Sequence, residues 1–317
     1  MDDRHYEIAV IGAGPAGLTA ALYAARALKR TLLLEAKVPG GELLNTETIE
    51  DYPGFQTITG AELAQRMTDH TLSFGAELVL ARVVAVAALP DGRHRIDLEE
   101  GEPYTADAVI VTAGGEPRKL EVPGEAEFAG RGVSYCAICD GAFFRGEHLA
   151  VIGGGDAALE EGRFLTRYAS KVTIIHRRDQ FRAQPILVEH ARADEKIEFR
   201  FDSVVEEVLG ADGRVTALRL RDTRTGEAST LAVGGVFVFV GFLPNTGLLT
   251  SHVEHDAQGY YRTDDVMQTT LPGVYAAGDV RSQLTRQVTT AVGDATTAAV
   301  AATKYVESLA PAVGAGR

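Results

Sequence analysis

A chain of 317 residues is long enough for about two domains with separate cores, and its 45% hydrophobic content is ordinary for a soluble globular protein. With 31 basic against 44 acidic side chains the net charge is −13 and no long basic run occurs, which argues against nucleic acid and anionic membranes as partners. The opening "MDDRHYEIAV" is acidic and strand-like rather than a secretory signal, and the apolar run near "VGGVFVFVGFL" is too short to cross a bilayer. Together with only two cysteines, this points to a reducing, cytoplasmic setting.

The first readable element is "EIAVIGAGPAGLTAALYAARALKRTLLLE" (7–35). It reads as a β-branched strand, a glycine turn, a helix-period segment and a second strand. Gly12, Gly14 and Gly17 stand at the dinucleotide-fingerprint positions: a tight turn, backbone access for a pyrophosphate, and close helix–strand packing. The helix start would offer its N–H groups to phosphate. Glu35 closes the second strand, where a carboxylate accepts hydrogen bonds from ribose hydroxyls.

Next comes "SYCAICDG" (134–141), which holds the only two cysteines, Cys136 and Cys139. A structural zinc site needs four ligands, yet there is no second pair and the eight histidines are scattered, so no metal is expected. A Cys-x-x-Cys turn at a helix start instead lowers one thiol pKa, and disulfide exchange needs one attacking and one resolving sulfur. Asp140 precedes a glycine, so on the residues alone it reads either as a turn former or as an acid/base group.

The first element then repeats. "HLAVIGGGDAALEEGRFLTRYASKVTIIH" (148–176) lies on 7–35 without a gap at a constant offset of 141, placing Gly153, Gly155 and Ala158 on the fingerprint. The position of Glu35 is taken by His176, followed by Arg177, Arg178 and Arg182. Guanidinium groups there pair with a 2′-phosphate that a carboxylate would repel, so the second site favours NADPH over NADH. The competing reading is a solvated basic strand end.

Further on, "LPGVYAAGDV" (271–280) reads as a short strand that delivers Asp279 to a polyol or ribityl hydroxyl. A long Ala-rich helix follows, its N-terminus near Gln287 facing the anionic edge of a flavin. These features make the first unit an FAD site. The Gly/Pro-bearing crossings 112–119 and 241–247 flank the second copy. The expected fold is therefore α/β, with two three-layer Rossmann-like dinucleotide-binding domains, the second (117–245) inserted into the first (1–116 and 246–317). The tail "APAVGAGR" reads as unstructured.

As an ordered set, "GAGPAG", "PGGELLNTETIEDYPG", "CAICDG", "GGGDAALEEG", "HRRDQFRA", "VGFLPNT", "YAAGDV" and "RQVTTAVGDA" resemble the low-molecular-weight (class II) bacterial thioredoxin reductases of the FAD/NADPH pyridine nucleotide-disulfide oxidoreductase family, from about residue 5 to 308. The resemblance implies electron flow from NADPH to a tightly bound, non-covalent FAD, then to Cys136–Cys139, then to oxidised thioredoxin. It adds Pro15, Ala16, Gly40, Gly41, Glu42, Leu43 and Asp51 to the FAD positions, with Thr112, Gly114, Gly278, Arg286 and Val288. It adds Asp156, Ala157 and Glu161 to the NADPH positions. It implies that Cys136 attacks the partner, Cys139 faces the flavin and Asp140 is the general acid/base, while Arg131, Phe143 and Phe144 dock thioredoxin. A homodimer and a swing of the inserted domain between two orientations are further implications.

This chain departs from the family pattern at four places: Glu42 for Gln and Asp51 for Asn, which add negative charge beside the flavin, then Ile138 for Thr, and Ala142 where an aromatic is frequent. Competing functions are a dithiol oxidase, entry of electrons from ferredoxin or a second flavin, a flavin redox sensor, and reduction of another thioredoxin-like or glutaredoxin-like protein. The intact "GGGDAA" and "HRR" speak against the first two. A peroxide-system reductase would carry an extra N-terminal module, and none fits ahead of residue 5.

Overall fold

The structure is a computed structural model that describes residues 4–46, 48–249 and 253–309. The chain divides into two compact units, Met1–Glu116 with Pro244–Arg317, and Pro117–Leu243.

In the first unit the strand His5–Ile11 pairs in parallel with Thr31–Glu35 on one side and Tyr104–Val111 on the other. Glu77–Leu80 and Val274–Ala276 extend the parallel part, and His94–Leu98 and Val83–Ala88 complete a seven-stranded sheet as antiparallel neighbours. The central strands are covered on both faces, which is why they read as unbroken apolar runs rather than alternating ones. One face is covered by the helices Pro15–Arg26 and Val288–Leu309, whose alanines (Ala20, Ala21 and Ala24; Ala295, Ala298 and Ala302) bring two backbones close together. The opposite face buries Tyr6, Ile96, Val109, Leu249 and Tyr261.

The second unit is built on five parallel strands, in the order Val133–Ser134, Gly235–Phe239, His148–Gly153, Lys171–Ile175 and Ile197–Arg200. The helices Asp156–Leu165 and Pro185–Arg192 cover one face. A three-stranded antiparallel sheet, Ser203–Ala211, Arg214–Asp222 and Ala228–Ala232, covers the other and completes three layers. Both repeats therefore fold as strand, turn, helix and parallel strand, with Ile8 opposite Thr31 in one and Leu149 opposite Val172 in the other.

The crossings Gly115–Pro117 and Phe242–Pro244 pair as a two-stranded sheet. Asn245 donates its backbone N–H to Gly114 and its side-chain amide to Ala113, so it sits with the first unit rather than inside the insertion ending at 245. The tail 310–317 lies outside the described residues. Among the described residues no helix is long and apolar enough to cross a membrane.

Candidate active site

In the first unit the turn after His5–Ile11 is shaped by what it excludes. Gly12 has φ +102°, and a Cβ there would lie 2.6 Å from the Thr112 carbonyl oxygen. A Cβ on Gly17 would stand 1.7 Å from the Gly12 carbonyl, so only glycine lets this helix close on its strand. Gly14 caps the helix without any side-chain bond and Pro15 follows at the first helical position, which leaves the opening N–H groups to a ligand anion. A Cβ on Gly41 would come within 3.1 Å of the Gly14 Cα, so two bare backbones face each other across the cradle. Gly40 donates its N–H to Ala13 at 2.8 Å and brings that loop in.

Glu35 ends its strand as the sequence indicates. Its carboxylate accepts the Ala13 N–H at 2.7 Å and the Lys37 N–H at 2.9 Å, which fixes its orientation and leaves lone pairs for ribose hydroxyls. Thr112 donates its hydroxyl to Ile11 and Gly12 and pins the turn from behind. Gly114 follows with φ +58°.

The segment Gly278–Val280 brings Asp279 to the same unit: the buried Gly278 has φ +74°, and a Cβ there would meet Ala16 at 2.9 Å. Burial pushes the Asp279 carboxyl up to about 6 against the pull of the Arg286 guanidinium, and the Glu42 and Asp294 charges add to the rise. Glu42 is itself raised by desolvation, opposed by the Asn45 amide at 3.1 Å and by Lys37. Arg286 lies over the Tyr260 ring at 4.0 Å, while Gln287 and Val288 open the long helix. The bare helix start, the oriented Glu35 carboxylate and the buried Asp279 carboxyl fit a flavin adenine dinucleotide.

Leu43 and Asp51, also expected at the flavin, differ in burial. Leu43 turns its side chain into an apolar cluster with Ile49, Ile58 and Leu63, and Asp51 is exposed on the turn beyond.

In the second unit Gly153 has φ +158° and Ala158 takes the place of Gly17; a Cβ on Gly153 would lie 2.7 Å from the Ala158 methyl. Gly155 caps the helix Asp156–Leu165 with no side-chain bond and with open space around its Cβ position. Ala158 is buried, Ala157 lies on the exposed side of the helix, and Glu161 sits half-buried further along it.

The basic segment folds back onto this turn. Arg182 donates its N–H to the Gly154 carbonyl at 2.7 Å, and Asp156 accepts the Gln184 N–H at 2.8 Å and its amide at 3.2 Å. Arg177 and Arg178 stay exposed. His176 is 6% exposed, and its Nε2 is buried with no hydrogen-bond partner. Burial holds its pKa below the ordinary value, helped by the three nearby arginines and opposed by the Gln180 backbone. An orphaned imidazole nitrogen beside a bare glycine turn and three guanidinium groups fits a nicotinamide dinucleotide with a 2′-phosphate.

The cysteines form a disulfide, Cys136–Cys139, with Cys136 capping the short helix Ala137–Asp140. The Cys139 N–H points at the Cys136 sulfur at 3.1 Å, the arrangement that steadies a thiolate once the bond opens. Cys136 is half-buried and Cys139 exposed. Asp140 accepts a hydrogen bond from the buried Ser134 hydroxyl at 2.6 Å.

Glu125, only 3% exposed, accepts from the Leu120 and Glu121 N–H groups and from the Tyr135 hydroxyl at 2.6–2.8 Å. It thereby ties the residues after the first crossing to the residue before Cys136, and burial beside this carboxylate drives the Tyr135 phenol above its usual range. Neither Ser134 nor Glu125 was singled out in the sequence, since no motif marks either.

Of the expected docking residues, Arg131 is exposed and Phe143 is 83% exposed. Phe144 is half-buried: its ring packs edge-on against Phe237 at 5.4 Å and fills the space a side chain on Gly235 would need, so Phe143 is the more exposed of the two. Among the described residues no cluster of side chains is arranged to hold a metal ion.

Comparison with known proteins agrees with this geometry. Residues 6–295 match the family described as pyridine nucleotide-disulphide oxidoreductase. The thioredoxin reductase of Listeria innocua is 48% identical over 313 residues, covering 98% of this chain and 97% of that protein. The Bacillus subtilis thioredoxin reductase is 47% identical over 97% of each. The crystal structure of Lactococcus lactis thioredoxin reductase (FR conformation) superposes with a TM-score of 0.94 at 45% identity, over 96% of this chain and 100% of that one.

Proposed function

We propose, since the chain belongs to the pyridine nucleotide-disulphide oxidoreductase family, that it is an NADPH-dependent flavoenzyme reducing the disulfide of thioredoxin. The observation that carries this reading is one disulfide, capped at a helix start, in a chain that builds the dinucleotide turn twice with opposite charge at the second strand's end. Bound FAD supplies the conversion of a hydride into a two-electron donor for sulfur.

We assign FAD to the unit of residues 1–116 and 244–317 and NADPH to the unit of residues 117–243. The Gly12–Gly17 helix start binds pyrophosphate, Glu35 orients a ribose, and Asp279 takes the polyol. Arg177, Arg178 and Arg182 select the 2′-phosphate, with His176 as the floor of that pocket. Cys136 attacks thioredoxin, Cys139 receives electrons from the flavin side, and Asp140 holds and delivers the proton that a departing thiolate needs. Arg131 and Phe143 meet the protein substrate. A swing of the inserted domain about its two crossings serves each half-reaction in turn, because hydride transfer and sulfur attack both need contacts of about 3–3.5 Å. The working form in this reading is a homodimer in the cytoplasm, and light scattering on the purified protein checks the dimer.

An anaerobic NADPH titration tests the proposal. A yellow protein should bleach on about two equivalents, one two-electron couple for the flavin and one for the disulfide, and Cys139→Ser should remove one of them. Steady NADPH consumption with oxidised thioredoxin separates a reductase from a redox sensor. Colourless protein after FAD reconstitution, or disulfide reduction without the cysteines, would end this reading.

A further inference from the structure

Ser134 closes a two-residue strand and is 4% exposed. Its Oγ has three polar neighbours: Asp140 Oδ2 at 2.6 Å, the Cys136 backbone nitrogen at 3.1 Å and the Cys136 carbonyl oxygen at 3.2 Å. A hydroxyl carries one proton and two lone pairs. The Cys136 N–H takes one lone pair. The proton has two acceptors within reach, and the 2.6 Å contact marks the carboxylate as the one it serves while Asp140 is ionised.

If Asp140 takes up a proton, the same short contact needs an acceptor instead of a donor. The second lone pair of Oγ supplies it, and the serine's own proton turns to the Cys136 carbonyl, already at 3.2 Å. Both arrangements satisfy every group without moving a heavy atom, so Asp140 stays in place whether charged or neutral. An amide or an ammonium at 134 would fit only one of the two states.

We propose that Ser134 is the positioning residue for the acid/base group of disulfide exchange, a hydroxyl whose direction reverses as Asp140 gains and loses its proton. This rests on the reading of Cys136–Cys139 as the reducing centre. Two electrons supplied by reduced flavin break the sulfur–sulfur bond and leave two sulfur anions. The Asp140 proton passes to one of them, giving one thiol, one thiolate and an ionised carboxylate. The Ser134 proton swings from the Cys136 carbonyl back to Oδ2, and Asp140 recovers its proton from solvent for the next cycle.

The test uses the FAD-loaded full chain and the variants Ser134→Ala, Ser134→Thr, Asp140→Asn and the double variant Ser134→Ala/Asp140→Asn. The readout is the rate at which excess dithiothreitol opens the disulfide, counted as alkylatable thiols after an acid quench, beside the KM for NADPH. Ser134→Ala should slow opening roughly tenfold, the loss of one hydrogen bond to a charged group, with KM unchanged. Ser134→Thr should recover most of the rate, and in the Asp140→Asn background Ser134→Ala should cost nothing further. A full additive loss in that background, or wild-type speed in a folded Ser134→Ala protein, overturns the proposal.

Should Ser134→Ala not fold, the infrared carbonyl band of protonated Asp140 in the oxidised wild type, identified by its loss in Asp140→Asn, decides. A hydrogen-bonded acid is expected, and a free one refutes it. Failure of the wild type to reduce thioredoxin with NADPH would sink the functional reading, while the dithiothreitol comparison still stands on its own.

Discussion

The His176 imidazole occupies the space that a side chain on Gly154 would need: a Cβ at 154 would lie 2.3 Å from both Cε1 and Nδ1 of the ring. The ring cannot retreat easily, because it is buried and lies beside Phe181 at 5.6 Å between ring centres. Gly154→Ala should therefore push the ring off the nucleotide turn at a cost of about 1–3 kcal/mol, typical of overpacking. The apparent KM for NADPH should rise about tenfold while FAD absorbance stays normal. An unchanged KM would show that the ring and the turn are independent.

The same turn gives a test of coenzyme choice. Arg177 and Arg178 are exposed and lie at the end of the strand where the first repeat carries Glu35. Replacing both with glutamine removes charge-assisted bonds worth about 1.5–3 kcal/mol each to a bound phosphate, discounted for their exposure. The ratio of kcat/KM for NADPH over NADH should fall at least tenfold, mostly through the NADPH value. A preserved ratio would place 2′-phosphate recognition elsewhere.

Asp279 is held at a pKa of about 6 against its ordinary 3.8 because burial disfavours its charge. A carboxyl with a raised folded pKa binds more protons in the native than in the unfolded state. Its contribution to stability is thus fully present below about 4 and is lost as the pH rises through about 6. Asp279→Asn should make the apoprotein more stable at pH 8, by roughly 2 kcal/mol, and make little difference at pH 4, while FAD affinity falls. Thermal melts of both apoproteins at the two pH values check the sign. An advantage that shrinks as the pH rises would reverse it.

At the far end of the helix Pro15–Arg26, Leu28 adopts φ +60° and is 92% exposed. Its N–H bonds to Ala25 and that of Lys29 to Ala24, the pattern of a Schellman cap, in which glycine is the usual occupant of this position. Leu28→Gly should relieve left-handed strain without losing packing, raising stability by up to about 1 kcal/mol and Tm by a few degrees. A lower Tm would mean that the leucine has a contact in the assembled protein.

The residues legible from sequence were those whose partners lie close along the chain or repeat at a fixed offset. Gly12, Gly14 and Gly17 announce a backbone shape that any ligand-binding turn of this kind needs, and the copy 141 residues later makes the pattern hard to mistake. Ser134 and Glu125 carry no such mark. Each matters because a turn folds back over six or ten residues to meet Asp140 or Tyr135, contacts that no single helix or strand pattern marks. Leu43 and Phe144 show the converse: each sits at a motif position, yet whether a side chain faces ligand or core depends on packing with Ile49 and Leu63, or with Phe237, which the motif does not encode. His176 and Gly154 were each in view, but their collision needs the chain to return over 22 positions.

The pairing of Gly115–Pro117 with Phe242–Pro244 means that the polypeptide leaves the first unit and re-enters it side by side. Residues 117–243 are thus a cassette with adjacent ends and a core of its own, the geometry that tolerates transplantation between hosts. The disulfide and the second glycine turn both lie within this one contiguous stretch, so moving it between hosts would carry the two together and leave the host's strand order intact.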